Sequence, residues 1–279
     1  MSGSRMLEVC GLNIVATPHP NGVYERILRT VAGTPVRVRG NDWAKITEPK
    51  ASSKKGVLDG RIIVWTTIDV DGRWLDTTKD EELSRADKKS ISIPSHAKPN
   101  YRVFSYALDV NRHRIHYESL NEFGETLGPT VARRLFENLT AMDKVKEAVE
   151  VTILPQEGTV NRILTLPKLR RLEIKLLLPN PDDVDPDKQQ KLYEKLRSMN
   201  AKTWEQTLQK RAGAARLKPD EETKEIARVA ATNGYVKGDA GRGDDRVQLS
   251  TTDTPARKKV SMDAGANFVA RLLATGGFF

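Results

Sequence analysis

Glu173 and Lys175 stand two residues apart in LPKLRRLEIKLLLPNPDD, residues 166–183. In an extended strand, side chains at that spacing project to one face. An acid beside a lysine can serve metal-dependent phosphodiester hydrolysis. Such a site needs two acids to hold a divalent cation that activates water, and a lysine to stabilise charge developing on the phosphate. In this reading Glu173, with Asp182 or Asp183, holds Mg2+ and Lys175 faces the phosphate. The plainer alternative is an amphipathic strand with a cross-face ion pair, Leu172, Ile174 and Leu176 filling the core side.

The upstream acid that a PD-(D/E)xK nuclease requires is the missing part. Asp143, Glu147, Glu150 and Glu157 precede the strand, and none lies in a Pro-Asp context. D/E-x-K triplets also arise by chance in a chain that is 30% charged. Asp182, Asp183, Asp185 and Asp187 offer the oxygen ligands magnesium prefers, but lack the glycine and distal glutamate of a calcium hand. Asp185 before Pro186 reads equally as a helix N-cap with proline at the first position.

Other reactive side chains are scattered. Cys10 is the single cysteine, which excludes an internal disulfide and a cysteine-based zinc cluster. Within an apolar strand it reads as a small core filler. His113 and His116 differ by three positions, an odd offset that sends them to opposite faces of a strand, and His19 and His96 have no partner in sequence. GDAGRGDD, residues 238–245, lacks the Lys-Ser/Thr ending of a phosphate-binding loop and reads as a hairpin connection.

Charge supplies the broader expectation. Lys and Arg total 46 against 37 Asp and Glu, a net charge of +9, which favours polyanions through release of counterions from phosphates. The basic groups that could make such contacts are Arg37 and Arg39, Lys54 and Lys55, and Lys168, Arg170 and Arg171. Trp43, Trp65 and Trp74 are available for stacking where exposed. Separated clusters need not share a face, and tryptophans commonly enlarge a core.

The elements that must position these residues follow from periodicity. Residues 6–15 read as a strand, 23–31 as a helix, and 35–46 and 57–70 as strands. Residues 101–108 and 112–118 read as a hairpin. Pro129 opens a helix with an apolar stripe at Val131, Leu135, Leu139, Met142 and Val145. Residues 150–154, 159–164 and 169–178 then resemble a strand–helix–strand crossover, followed by helices at 186–199, 204–211 and 219–231. Short strands at 235–237, 246–250 and 258–261 precede a final helix over 264–273. This pattern predicts an α+β fold of mixed, largely antiparallel sheets with packed helices. It divides into a strand-rich lobe at residues 1–127 and a helix-rich α+β lobe at 128–279. No run approaches a membrane span, and with a lone cysteine a cytoplasmic protein is expected.

EVCGLNIV followed by NGVYERIL, the LPKLRRLEIKLLLPNPDD run, and NGYVKGDAGRGDDRVQLSTTDTP together resemble an uncharacterised bacterial domain-of-unknown-function family of about this size. The resemblance implies a setting among mobile elements and phage-defence genes, and it carries over no catalytic residue. The expectation is therefore a nucleic-acid-binding or accessory component of an antiphage system, contacting DNA or RNA and a defence-system protein. A magnesium-dependent nuclease using Glu173 and Lys175 is the first alternative. A non-catalytic module for an acidic protein partner, anchored by the C-terminal aromatic residues, is the second.

Overall fold

The computed structural model describes residues 6–178, 189–261 and 267–274. The chain begins with β1 (Met6–Thr17), α1 (Val23–Val31), β2 (Val36–Arg39), β3 (Asp42–Ile46), β4 (Lys50–Ala51) and β5 (Val57–Thr66). An excursion carries β6 (Leu75–Asp76), β7 (Glu81–Glu82) and α2 (Arg85–Lys89), and β8 (Arg102–Asp109), β9 (Arg114–Leu120) and α3 (Pro129–Thr140) follow. The second half holds β10 (Ala148–Ile153), α4 (Thr159–Leu164), β11 (Leu169–Leu177), α5 (Gln189–Ser198), β12 (Thr203–Gln209) and α6 (Glu221–Thr232). It closes with β13 (Gly234–Ala240), β14 (Val247–Ser250), β15 (Arg257–Ser261) and α7 (Phe268–Ala274).

The fold is α+β and its sheets are antiparallel. The larger sheet runs β10-β1-β9-β8-β5-β3-β2, with β15 beside β1 and β4 beside β5. The smaller runs β12-β11-β13-β14. Sheet membership crosses residue 128, because β10 and β15 both join the larger sheet through β1.

Helices α1 and α3 cover one face of the larger sheet. Val23, Tyr24, Ile27, Leu28 and Val31 of α1, and Ala132, Leu135, Phe136 and Leu139 of α3, are buried against Leu12, Ile14, Ala44, Ile62, Val64, Phe104 and Tyr117. Truncating one of these large apolar side chains, such as Phe136, costs about 3–5 kcal/mol by lost transfer energy and the cavity left behind. On the opposite face α7 seals a smaller cluster of Leu7, Val9, Val57, Ala107 and Val260 with Phe268, Val269 and Leu272. In the smaller sheet, Leu172, Ile174 and Leu176 pack with Leu196 of α5, Ile163 of α4 and Ile226, Ala227 and Ala230 of α6.

Three sequence expectations are corrected. Residues 35–46 form a hairpin rather than one strand, turning at Gly40 with φ +50°. Residues 204–211 are not a helix: Trp204 and Leu208 face the core while Glu205, Thr207 and Gln209 are exposed, a period-two pattern that suits an edge strand on β11. Residues 150–178 do not form a crossover within one sheet, since α4 leads from β10 in the larger sheet to β11 in the smaller. The stripe on α3 also ends sooner than expected, at Thr140, while Met142 and Val145 still pack on the core from the following loop.

Hydrogen bonds at the end of α6 tie the smaller sheet to the larger. The carbonyl of Thr232, at the end of α6, accepts from Thr152 Oγ1 at 2.7 Å and from Asn13 Nδ2 at 3.2 Å. Gly234 then starts β13 at φ +151°, and a Cβ there would stand 1.9 Å from the Lys175 carbonyl oxygen. Only glycine permits that approach.

His116 lies between Gly11 of β1 and Ala107 of β8, whose small side chains leave room for the imidazole. It is fully buried. Burial, then the charges of Arg114, Arg112, Lys258 and Lys54, lowers its pKa to about 3. Below its ordinary value near 6.5 the unfolded chain takes up a proton that the folded chain refuses, so stability falls with pH from there toward about 3. Between pH 7 and 5 this amounts to about 2 kcal/mol. Urea unfolding at the two pH values is expected to show a pH-dependent loss smaller by about that amount in His116→Gln; parallel wild-type and variant curves would remove His116 from the acid response.

Candidate nucleic-acid interface

Strand β11 holds the residues that the sequence singles out most strongly. Glu173 opposes Thr207 of β12 and Lys237 of β13, and Lys175 opposes Glu205 and Tyr235. Both point away from the helices, as their spacing predicts. Their carboxylate and ammonium do not face a common centre: Glu173 Oε1 receives Arg171 Nε at 2.7 Å, and Lys175 Nζ lies 3.1 Å from Glu205 Oε1. Among the described residues no three His, Cys, Asp or Glu side chains form a group able to hold a metal ion. Asp182 and Asp183, the other expected magnesium ligands, lie outside the described residues, as do Asp185, Pro186 and the C-terminal aromatic pair.

At the end of this sheet a cleft of ≈ 570 Å³ opens between the strand ends, lined by Arg170, Arg171, Lys210, Arg242 and Arg246 with Asp239 as its one acid. The β13–β14 turn forms its rim. Gly241 sits there at φ +68°, and a Cβ would meet the Asp245 carbonyl oxygen at 2.1 Å. The expected hairpin connection is therefore tighter than residues 238–245, because β13 runs on to Ala240. Much of the cleft's charge is engaged internally. Arg246 pairs with Asp239 at 3.5 Å and Lys168 with Asp245 at 3.3 Å, while Arg170 donates to the Gly241 carbonyl at 3.0 Å. Lys210 Nζ donates to the carbonyls of Ala214 and Arg211.

The larger sheet assembles a different cationic surface. Arg37 of β2 opposes Trp43 of β3, which opposes Trp65 of β5. In the next row on that face Lys45 opposes Ile63, which opposes Val103 of β8, and in the row after it Arg61 opposes Ser105. Their neighbours Ala44, Ile46, Ile62 and Val64 point the other way, into the core under α1 and α3. Among the described residues none of Arg37, Lys45 and Arg61 makes an ion pair, although the Arg61 row continues through Ser105 to the buried Glu118, whose Oε2 accepts from Ser105 N at 2.7 Å, and Glu48 and Asp59 line the same cavity as Arg61. Helix α3 steadies the edge strand: Asn138 Nδ2 donates to the Arg37 carbonyl at 2.7 Å and Arg134 to the Val38 carbonyl at 3.1 Å. These donors occupy carbonyls that another chain could otherwise pair with. Arg37 Nε itself donates to the Gly40 carbonyl, and exposed Arg39 follows the bulge before the turn.

The expected contact residues thus fall into three groups. Lys168, Arg170 and Arg171 gather at the cleft, and Arg37 and Arg39 lie by the tryptophan face. Lys54 and Lys55 occupy the turn that precedes β5, held by the bonds from Val57 N to Lys54 O and from Val110 N to Gly56 O. That turn and the Trp65 end of β5 are separated by the ten-residue strand, roughly 30 Å. Lys45 and Arg61 escape a reading by clusters because each is alone in sequence, and only strand pairing sets them beside Arg37.

A family model described as domain of unknown function, DUF4747, matches residues 5–269. The chain belongs to this family. The comparison with curated proteins gives no match.

The remaining reactive side chains of this DUF4747 chain sit elsewhere. Cys10 is buried in the core and burial raises its thiol pKa, which suits a filler rather than a nucleophile. His113 is in the β8–β9 turn rather than on the strand, and its ring lies 4.9 Å from that of His19 and 4.8 Å from that of Tyr24. This grouping joins residues 94 positions apart, beyond the reach of local spacing. No helix among the described residues is long and apolar enough to cross a membrane.

The ion pair between Arg171 and Glu173 yields a test of both readings of β11. In Glu173→Gln one negative charge beside the cleft is removed and Arg171 is released, so the protein is expected to elute from immobilised heparin at higher salt than wild type, with a salt slope steeper by about 0.7–0.9. Unchanged retention together with loss of magnesium-dependent cleavage would instead assign Glu173 to a metal site.

Proposed function

We propose that this DUF4747 protein binds nucleic acid through its phosphates and serves as a component or accessory of a bacterial antiphage defence system. The binding reading is carried by one observation: Arg37, Lys45 and Arg61 stand in successive rows of one sheet face and, among the described residues, make no ion pair. A cation already paired within the fold gains little from a phosphate, because it must give up its partner. An unpaired one instead exchanges loosely held counterions for phosphate, a favourable release. The cleft at Arg170 and Arg171 provides a second, weaker contact. The net charge of +9 adds attraction for polyanions at longer range.

The defence setting rests on the resemblance of the EVCGLNIV, LPKLRRLEIKLLLPNPDD and NGYVKGDAGRGDDRVQLSTTDTP passages to a family found near mobile elements and phage-defence genes. Membership of DUF4747 agrees with a family of that extent. Expression in a bacterial host followed by phage challenge tests the setting, and plaquing that is equal with and without the protein would remove it.

Binding to labelled DNA and RNA across a salt series tests the chemistry. The triple variant Arg37→Ala, Lys45→Ala, Arg61→Ala is expected to lower the magnitude of the slope of log K against log salt by about 2–3, with an unchanged far-UV spectrum. Identical slopes for wild type and variant would rule out this face as the phosphate contact.

A further inference from the structure

The same face carries aromatic side chains whose arrangement bears on the form of nucleic acid bound, and this inference rests on the binding reading above. Trp43 and Trp65 are direct cross-strand partners, so their Cβ atoms stand about 4.5–5.5 Å apart on one face of the sheet. Both are half-buried rather than sealed in the core. Ile63 and Val103, partly buried, extend the apolar area into the next row. Tyr101, 64% exposed, immediately precedes β8, where Arg102 pairs with Val64 beside Trp65.

We propose that this face binds single-stranded nucleic acid, with bases stacked on Trp43 and Trp65 and the backbone tracked by Arg37, Lys45 and Arg61. Two physical arguments favour a single strand over a duplex. The bases of a duplex hide their π faces against one another, so indoles gain stacking energy only from bases that are already unstacked. A two-stranded ribbon can enter the major groove, but β2 and β3 carry α3 on their other face and continue into β5 and β8, which makes the assembly too broad.

The chain has four tryptophans, so replacing Trp74 and Trp204 by Phe leaves fluorescence from Trp43 and Trp65 alone. Titration of this protein with oligo-dT, oligo-U and a mixed-sequence duplex of equal length is expected to quench the signal with the single strands. Affinity for them should exceed that for the duplex by at least tenfold at the same salt. In an otherwise wild-type chain, Trp43→Ala and Trp65→Ala are each expected to weaken single-strand binding by roughly 5- to 100-fold. The salt slope should stay unchanged because no charge is removed. Trp43→Phe with Trp65→Phe retains most of the affinity, and serves as the folded control if the alanine variants lose their structure. Salt-sensitive binding that favours the duplex, or that leaves the tryptophan signal unquenched, overturns the single-strand inference while leaving the phosphate reading intact. No salt-sensitive binding to any of the three probes overturns both.

Discussion

Strand β1 is the constraint on which both sheets depend. One of its edges pairs with β9 from Glu8 to Asn13, and the other is divided between two partners. Met6 to Cys10 pair with β15, and Leu12 to Thr17 pair with β10. Gly11 lies where these partners meet, and its carbonyl accepts from Leu154 N at 3.0 Å. A single twelve-residue strand therefore fixes the register of the chain on its way to the smaller sheet and again on its return. Its sequence suits this place because nearly every side chain is buried on one face or the other. A slip of one residue would exchange the side chains under α1 and α3 with those beneath α7 and the smaller sheet's helices.

The attachment of the smaller sheet is polar rather than greasy. The last carbonyls of an α-helix have no partner within the helix. Thr232 at the end of α6 finds two in Asn13 and Thr152, both buried side chains of the larger sheet. Asn13 also donates to Asn233 Oδ1 at 3.0 Å. Such bonds are directional, and an unmet buried carbonyl costs about 1–3 kcal/mol, so the helix end is restricted to a narrow set of positions. The antiparallel pairing of β11 and β13 then follows directly, with Gly234 permitting the backbone to pass beneath Lys175.

Periodicity made much of the framework legible. The helices over residues 23–31 and 129–140, the strand at β11 and the hairpin of β8 and β9 are local patterns with one face plainly apolar, and the structure contains them. What escaped depends on contacts distant in sequence. Residues 204–209 have helix-compatible composition, but the free edge of β11 and the core beside Trp204 and Leu208 select a strand. Glu205 then becomes the partner of Lys175, a pairing hidden as long as the segment is read as a helix. The shared face of Glu173 and Lys175 was readable from their spacing, whereas their separate ion-pair partners were not. Arg37 and Trp43 could be named from sequence, but the turn at Gly40 was needed to oppose them, and β5 to add Trp65 and Arg61.

The two cationic regions differ in how their charge is used. Around β11 and the cleft, Arg171, Lys175, Lys168 and Arg246 each have a carboxylate within ion-pair distance. All four pairs are at least partly exposed, and pairs of that kind add little stability, about 0–1 kcal/mol each. Their main consequence is local neutralisation, so the open face of the smaller sheet presents mixed signs to a polyanion. On the larger sheet Arg37, Lys45 and Arg61 make no ion pair among the described residues. Helices α1 and α3 occupy the other side of those same strands and bury their apolar residues, while on this side α7 packs over Val57 and Ala107 and reaches the cavity beside Arg61. The Trp43–Trp65 part of this face is half-buried rather than sealed, cationic, and bears two opposed tryptophans. Its composition is suited to a ligand that offers phosphates along one line and flat apolar rings beside it. That pairing of requirements distinguishes it from the cleft, where charge is abundant but largely answered from within the chain.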